Sequence, residues 1–185
     1  NICRGLPRLQ PLRIKDSISN GRLVLQTLGR DIAHTALIRI MAFRSVHLRI
    51  LATPVDDVEL ISKATSAILP EEVELIVTPH KSHHGALQTT IEAHITRKRD
   101  IRIWVERIGA TFWEHLLADG ISKRIDDDKF LHLRLDLPGL VGGRYVFANG
   151  QSFKHPLKIK IKIESYPGMN TEDEAKSFVR SLLSD

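Results

Sequence analysis

The seven residues Leu157-Lys158-Ile159-Lys160-Ile161-Lys162-Ile163 alternate aliphatic and basic side chains without interruption. Successive side chains point to opposite sides only in an extended strand, so this segment specifies a β-strand with one face for a core and one for water. A helix would spread both kinds of residue around its circumference. A chain built on such a strand needs a sheet with one open face, and it needs helices to cover the other.

Other segments repeat the pattern. Between Ala42 and Ala52, Val46, Leu48 and Ile50 alternate with Ser45, His47 and Arg49. Val73, Leu75 and Val77 define a second strand, and Leu87, Thr89, Ile91, Ala93 and Ile95 a third. Leu131, Leu133 and Leu135 alternate within Lys129 to Leu137. After a Gly-rich bend from Gly139 to Gly143, a short strand is expected at Arg144 to Ala148. Asn149-Gly150 is then a hairpin signal, with a returning strand from Phe153 to Ser165.

Helical spacing falls between these strands. Thr53, Pro54 and Asp56 fit an N-cap, a first helical position and an acidic first turn, predicting a helix to about Leu69 that buries Val58, Ile61, Thr65 and Ile68 before Pro70 stops it. One long helix is predicted from Asp100 to Ala118, with Ile101, Trp104, Val105, Ile108, Phe112 and Leu116 on one stripe and Gly120 as terminator. A last helix begins at Thr171, where Glu174 would complete a capping box, and buries Ala175, Phe178, Val179 and Leu182. The order β-α-β-β-α-β-β-β-α predicts a two-layer α+β fold: a mostly antiparallel β-sheet with about three helices on one face.

Charge is distributed unevenly. The chain of 185 residues carries 27 basic and 22 acidic side chains, a net +5. Residues 1–40 hold seven of the basic groups against Asp16 and Asp31, which accounts for the whole excess and leaves 20 of each sign in residues 41–185. Total charge therefore argues nothing about the folded part. Residues 1–40 are also broken by Gly5, Pro7, Pro11, Gly21 and Gly29, and are expected to form a basic N-terminal extension outside the domain at 41–185. The single cysteine, Cys3, allows no internal disulfide, and no apolar run approaches the roughly 18 residues of a membrane span. The chain reads as cytoplasmic, with no membrane partner.

The open face can be written down from the alternation. On the final strand Lys158, Lys160 and Lys162 share it, spaced by roughly 6.6 Å per two residues, a step similar to the phosphate spacing of an extended nucleic acid. Such a row can neutralise phosphates and release their counterions. Lysines at alternate positions equally protect an exposed strand from aggregation. Arg134 lies on the same face, and Arg97, Lys98 and Arg99 form a second cluster before Asp100, at a helix start whose amides attract phosphate. Only Phe43 and Phe130 could bring an aromatic ring to this face, so backbone and shape recognition is favoured over base stacking.

The loop from His80 through Lys81, His83 and His84 to Gly85 admits three readings: a metal site, a phosphate-binding turn, or a polar loop. No cysteine or carboxylate lies within it to complete a zinc site. Asp126, Asp127 and Asp128 lack the spacing of a calcium loop, and no nucleophile elbow or phosphate loop is present. The expectation is a protein that is not an enzyme and uses no cofactor or metal.

The stretches VHLRILATPVDDVELISKAT, PHKSHHGALQTTIEAHITRKRDIRIWVERI, RIDDDKFLHLRLDL and LKIKIKIESYP resemble, in this order, the archaeal RNA-binding proteins described as predicted exosome subunits. The similarity runs from about Phe43 to Leu183. In that family the aspartate matching Asp136 is usually followed by Lys-Gln, whereas Leu137-Pro138 follows here. The resemblance implies a fold similar to the ribosomal protein that grips the small ribosomal RNA of the large subunit. It also implies a homodimer, RNA binding and a link to exosome subunits. It implies no reaction. The candidate RNA-binding residues are Lys81, His83, His84, Arg97, Lys98, Arg99, Arg134, Lys158, Lys160 and Lys162. The alternative is a dimeric protein-interaction scaffold without intrinsic RNA binding.

Overall fold

Five strands, β1 (Phe43–Ala52), β2 (Leu75–Lys81), β3 (Leu87–Ile95), β4 (Phe130–Leu135) and β5 (Leu157–Ile163), form one sheet in the order β2-β3-β1-β5-β4. Every neighbouring pair is antiparallel. The structure is a computed structural model that describes residues 43–82, 85–148, 155–165 and 168–183. Its helices are α1 (Val58–Ile68), α2 (Lys98–Ile108), α3 (Ala110–Asp119), α4 (Leu137–Val141) and α5 (Thr171–Leu182), with a 3-10 turn at Ile121–Arg124. This is the expected α+β fold. No helix among the described residues is long and apolar enough to cross a membrane.

The alternation works as its periodicity requires. Val46, Leu48 and Ile50 of β1, Leu131, Leu133 and Leu135 of β4, and Ile159 and Ile161 of β5 are buried in one cluster with Ile61, Trp104, Phe112, Leu116 and Phe178 from the helices. Burying each large aliphatic or aromatic side chain contributes about 1.5–3 kcal/mol relative to exposure, which fixes the sheet's orientation under its helices. Slipping one strand by a residue would exchange its core residues for its charges.

The long helix expected from Asp100 is two helices. It begins earlier, with Arg97 as N-cap and Asp100 buried in the first turn, and it breaks at Gly109, where φ is 85° and ψ 154°. In an unbroken helix Trp104 and Trp113 would stand roughly 13.5 Å apart along the axis. The break brings their rings to 5.9 Å, edge to face, and lets Trp113 Nε1 donate to the Val105 carbonyl at 3.1 Å. The continuous apolar spacing on both sides of Gly109 concealed it.

Other expectations shift locally. Helix α1 is capped by Asp57, whose side chain accepts from the Leu60 amide at 2.9 Å; Thr53 instead closes a turn in which Asp56 accepts from its amide and hydroxyl. Those two bonds hold the Asp56 carboxyl below its ordinary range. Asn170, not Thr171, caps α5 through the Glu172 amide, and Glu174 is buried rather than reaching back as a capping box. The bend after Leu135 contains α4, capped by Asp136 through the Gly139 amide at 2.7 Å. Proline at Pro138 suits a helix start, which gives Leu137-Pro138 a structural role.

Arg144 to Ala148 forms no full strand. It makes one bridge, Leu135 to Phe147, with hydrogen bonds from the Asp136 amide to Val146 and from the Ala148 amide to Arg134. The returning strand is β5, and it pairs with β1 and β4. The hairpin signal at Asn149-Gly150 and the expected boundary at residue 40 lie outside the described residues.

Candidate nucleic-acid interface

Register aligns the open-face residues into rows that cross the strands. One row runs His94, His47, Lys160, His132 over β3, β1, β5 and β4. The adjacent row runs Glu92, Arg49, Lys158, Arg134 over the same strands, with Ile76 of β2 beside Glu92. A third joins Ser45, Lys162 and Phe130. Neighbouring strands are about 4.8 Å apart and rows roughly 6.6 Å. Among the described strand residues on this face Glu92 is the only carboxylate.

Among the described residues the amines of β5 have no anionic partner: no carboxylate pairs with Lys158, Lys160 or Lys162. Lys160 and Lys162 instead place their ammonium groups 3.8 Å and 4.2 Å from the centroid of the Phe130 ring, and Lys162 Nζ also donates to the Asp128 carbonyl. Phe130 therefore does reach the open face, but its ring is engaged by cations. Phe43 does not; it is buried against Phe178 and Trp113.

Glu92 is shared. Its Oε1 lies 3.3 Å from Arg49 Nε and 3.8 Å from His47 Nε2. Burial holds the His47 imidazole below its ordinary value of 6.5; Glu92 opposes this, while His94, Arg49 and Lys160 reinforce it. On β4, His132 Nε2 donates to Asp126 Oδ2 at 2.7 Å, and with the Phe130 amide it holds the Asp126 carboxyl below its ordinary range.

The structure brings Lys158, Lys160, Lys162 and Arg134 together on one surface. It adds Lys98, which lines a shallow depression with Arg44, Lys162, Phe130 and one carboxylate, Glu164. Arg97 and Arg99 are exposed at the start of α2 but do not line that depression. Lys81 stands apart, at the far end of edge strand β2 and roughly 16 Å along the strand from Ile76. His83 and His84 lie outside the described residues. Around them Ser82 closes a tight turn: its carbonyl accepts from the Gly85 amide at 2.9 Å and its hydroxyl from the Ala86 amide at 3.0 Å. Those two amides are committed to the turn and are not available to a phosphate.

His47, Arg49, His94 and His132 were not singled out as candidates, because their adjacency across strands follows only from register. Arg44 was missed for a different reason. Strict alternation would send it inward with Val46, but an irregularity between Phe43 and Ser45 shifts the register, and Arg44 lines the cationic depression.

These features define an α+β protein whose antiparallel sheet presents a cation-lined face that no described helix covers. The chain belongs to the RNA-binding family, described as "RNA binding", whose model matches residues 45–165. A crystal structure of protein AF2318 from Archaeglobus fulgidus is similar at a TM-score of 0.61 and 23% identity, covering 76% of this chain and 99% of that one. The structure of Mth689 from Methanothermobacter thermautotrophicus is similar at 0.59 and 18%, covering 77% and 96%. That of SSO0741 from Sulfolobus solfataricus is similar at 0.56 and 21%, covering 75% and 98%. At these identities the likeness concerns the fold. No curated protein matches the chain.

Proposed function

We propose that the protein binds RNA on the open face of its sheet, chiefly through phosphates, as an accessory factor in RNA processing or degradation rather than as a catalyst. The observation that carries this reading is the row Lys158, Lys160, Lys162, which no described carboxylate neutralises, flanked by Arg49 and Arg134 on the adjacent strands. Membership of the RNA-binding family supports it. Phe130 is covered by ammonium groups, so contacts to the backbone dominate over base stacking. Lys98 and Arg44 extend the track beyond Lys162. Lys81, Arg97 and Arg99 belong to an outer rim of contacts. Association with exosome subunits in the cytoplasm is the finer form of this proposal.

Fluorescence anisotropy of a labelled structured RNA with nuclease-treated protein at physiological salt tests it. The account expects saturable binding that weakens as salt rises, and an absence of binding would remove it.

A second reading, a homodimeric scaffold that meets protein, is favoured by the edge strand β2. Ile76 is 51% exposed and Val77 43%, with Leu87 opposite Lys81 at 62%, and no described strand pairs with the outer side of β2. A sheet edge carrying exposed apolar side chains is a natural surface for pairing with another chain. This reading predicts a dimer that retains no RNA.

A further inference from the structure

We infer that His47 and His94 form a phosphate site at the middle of the open face, where polyanion binding takes up protons. The inference rests on the proposed RNA-binding reading and adds to it a specific pair of residues and a linkage.

The two imidazoles face each other across β1 and β3 with ring centroids 5.7 Å apart, edge to face. Both line one depression with Lys160 and Glu92. The groups that face His47 can be enumerated from the sheet. Arg49 and Ser45 flank it on β1, Glu92 and His94 lie on β3, Lys160 is its partner on β5, and the apolar Ile76 of β2 lines the same depression. The helices cover the opposite face and contribute nothing here.

That inventory is unfavourable to a His47 imidazolium in the free protein. The Lys160 ammonium and the Arg49 guanidinium are fixed charges beside it, and Glu92, the one carboxylate among the described strand residues of this face, is already within 3.3 Å of Arg49. Burial of the ring is the main cause of the lowered affinity of His47 for its proton; Glu92 opposes it, and His94, Arg49 and Lys160 add to it. A phosphodiester entering the depression reverses the balance, because it supplies the missing negative charge and accepts hydrogen bonds only from protonated or donor nitrogens. Imidazole is the side chain whose charge changes in the physiological range, so binding and protonation become coupled there.

His132, at the other end of the row, differs: its Nε2 is held by Asp126 at 2.7 Å, and a phosphate would have to compete with that carboxylate. A metal-site reading of the pair finds no support in the geometry, since among the described residues no group of three or more His, Cys, Asp or Glu is placed to hold an ion.

The test uses the full chain and the same labelled structured RNA. Calorimetric titration at about pH 7 in two buffers of different ionisation enthalpy reads proton uptake directly. Anisotropy between about pH 8 and pH 5.5 reads affinity. The expected result is net uptake and an affinity that rises by about tenfold for each imidazole whose pKa the phosphate raises by one unit. In the His47→Gln/His94→Gln variant the uptake disappears and the pH profile flattens, whereas His115→Gln, on α3 away from the sheet face, keeps both. Thermal unfolding confirms that the double variant is folded; if it is not, His94→Gln, an exposed side chain, gives the same readout with partial loss. RNA binding with buffer-independent heat and a pH profile unaltered by the variants would overturn the inference while leaving the proposed function standing. Failure of the wild-type chain to bind at any pH would remove both.

Discussion

The Lys160 ammonium sits 3.8 Å from the centroid of the Phe130 ring, and Lys162 approaches the same ring at 4.2 Å. Two cations that would repel across an open strand are thus gathered by one aromatic quadrupole on the neighbouring strand. The ring organises the charges without neutralising them.

Replacing Phe130 by Leu removes that quadrupole and keeps the ammonium groups. Cation–π contacts at exposed sites contribute about 0.5–1 kcal/mol each, so the variant should lose stability of that order in urea unfolding. RNA affinity should fall by no more than about fivefold, with the salt dependence unchanged, because the charges that meet phosphate remain. A collapse of the salt dependence would show that the ring itself contacts the ligand.

Gly109 separates α2 from α3 with φ 85° and ψ 154°, a conformation essentially reserved for glycine. An added Cβ meets nothing within 4 Å, so the penalty in Gly109→Ala is backbone strain rather than collision. A loss of about 1–3 kcal/mol is expected in chemical denaturation, with RNA binding by the folded fraction unaltered because the break lies under the covered face.

The contrast between these two sites shows what the sequence could and could not disclose. The lysine row was legible because strand geometry converts a two-residue alternation directly into a face, and Leu131, Leu133 and Leu135 are buried as that rule requires. The break at Gly109 was not, because Ile101 to Leu116 keep helical spacing through it and only the backbone angle reveals it. The row of His94, His47, Lys160 and His132 needed the pairing register, which long-range packing decides. Arg44 escaped because a local register shift overrides parity. At Arg144 to Ala148 the residue pattern suggested a strand, but only Phe147 finds a bridge partner, on the outer side of β4.

Glu174 is buried on α5, with Oε2 lacking a hydrogen-bond partner among the described residues. Burial pushes its carboxyl above the ordinary 4.5, with Lys129 opposing and Glu164 reinforcing. A raised folded-state pKa means that the native state prefers the proton, so stability falls as pH rises from 4.5 through the raised value. Glu174→Gln should therefore unfold at a higher temperature than wild type at neutral pH, and the advantage should vanish below about pH 4.5. An equal advantage at both pH values would contradict this origin.

The most direct measurement is the dependence of RNA affinity on salt for the wild-type chain and for the Lys158→Ala/Lys160→Ala/Lys162→Ala variant. These side chains project from the uncovered face, while Ile159 and Ile161 stay in the core, so the variant should fold. Each lost phosphate contact lowers the slope of log affinity against log salt by about 0.7 to 0.9, and the variant should bind more weakly with a slope reduced by about 2 to 2.7. An affinity and a slope both equal to those of the wild type would contradict the central claim that this strand holds RNA.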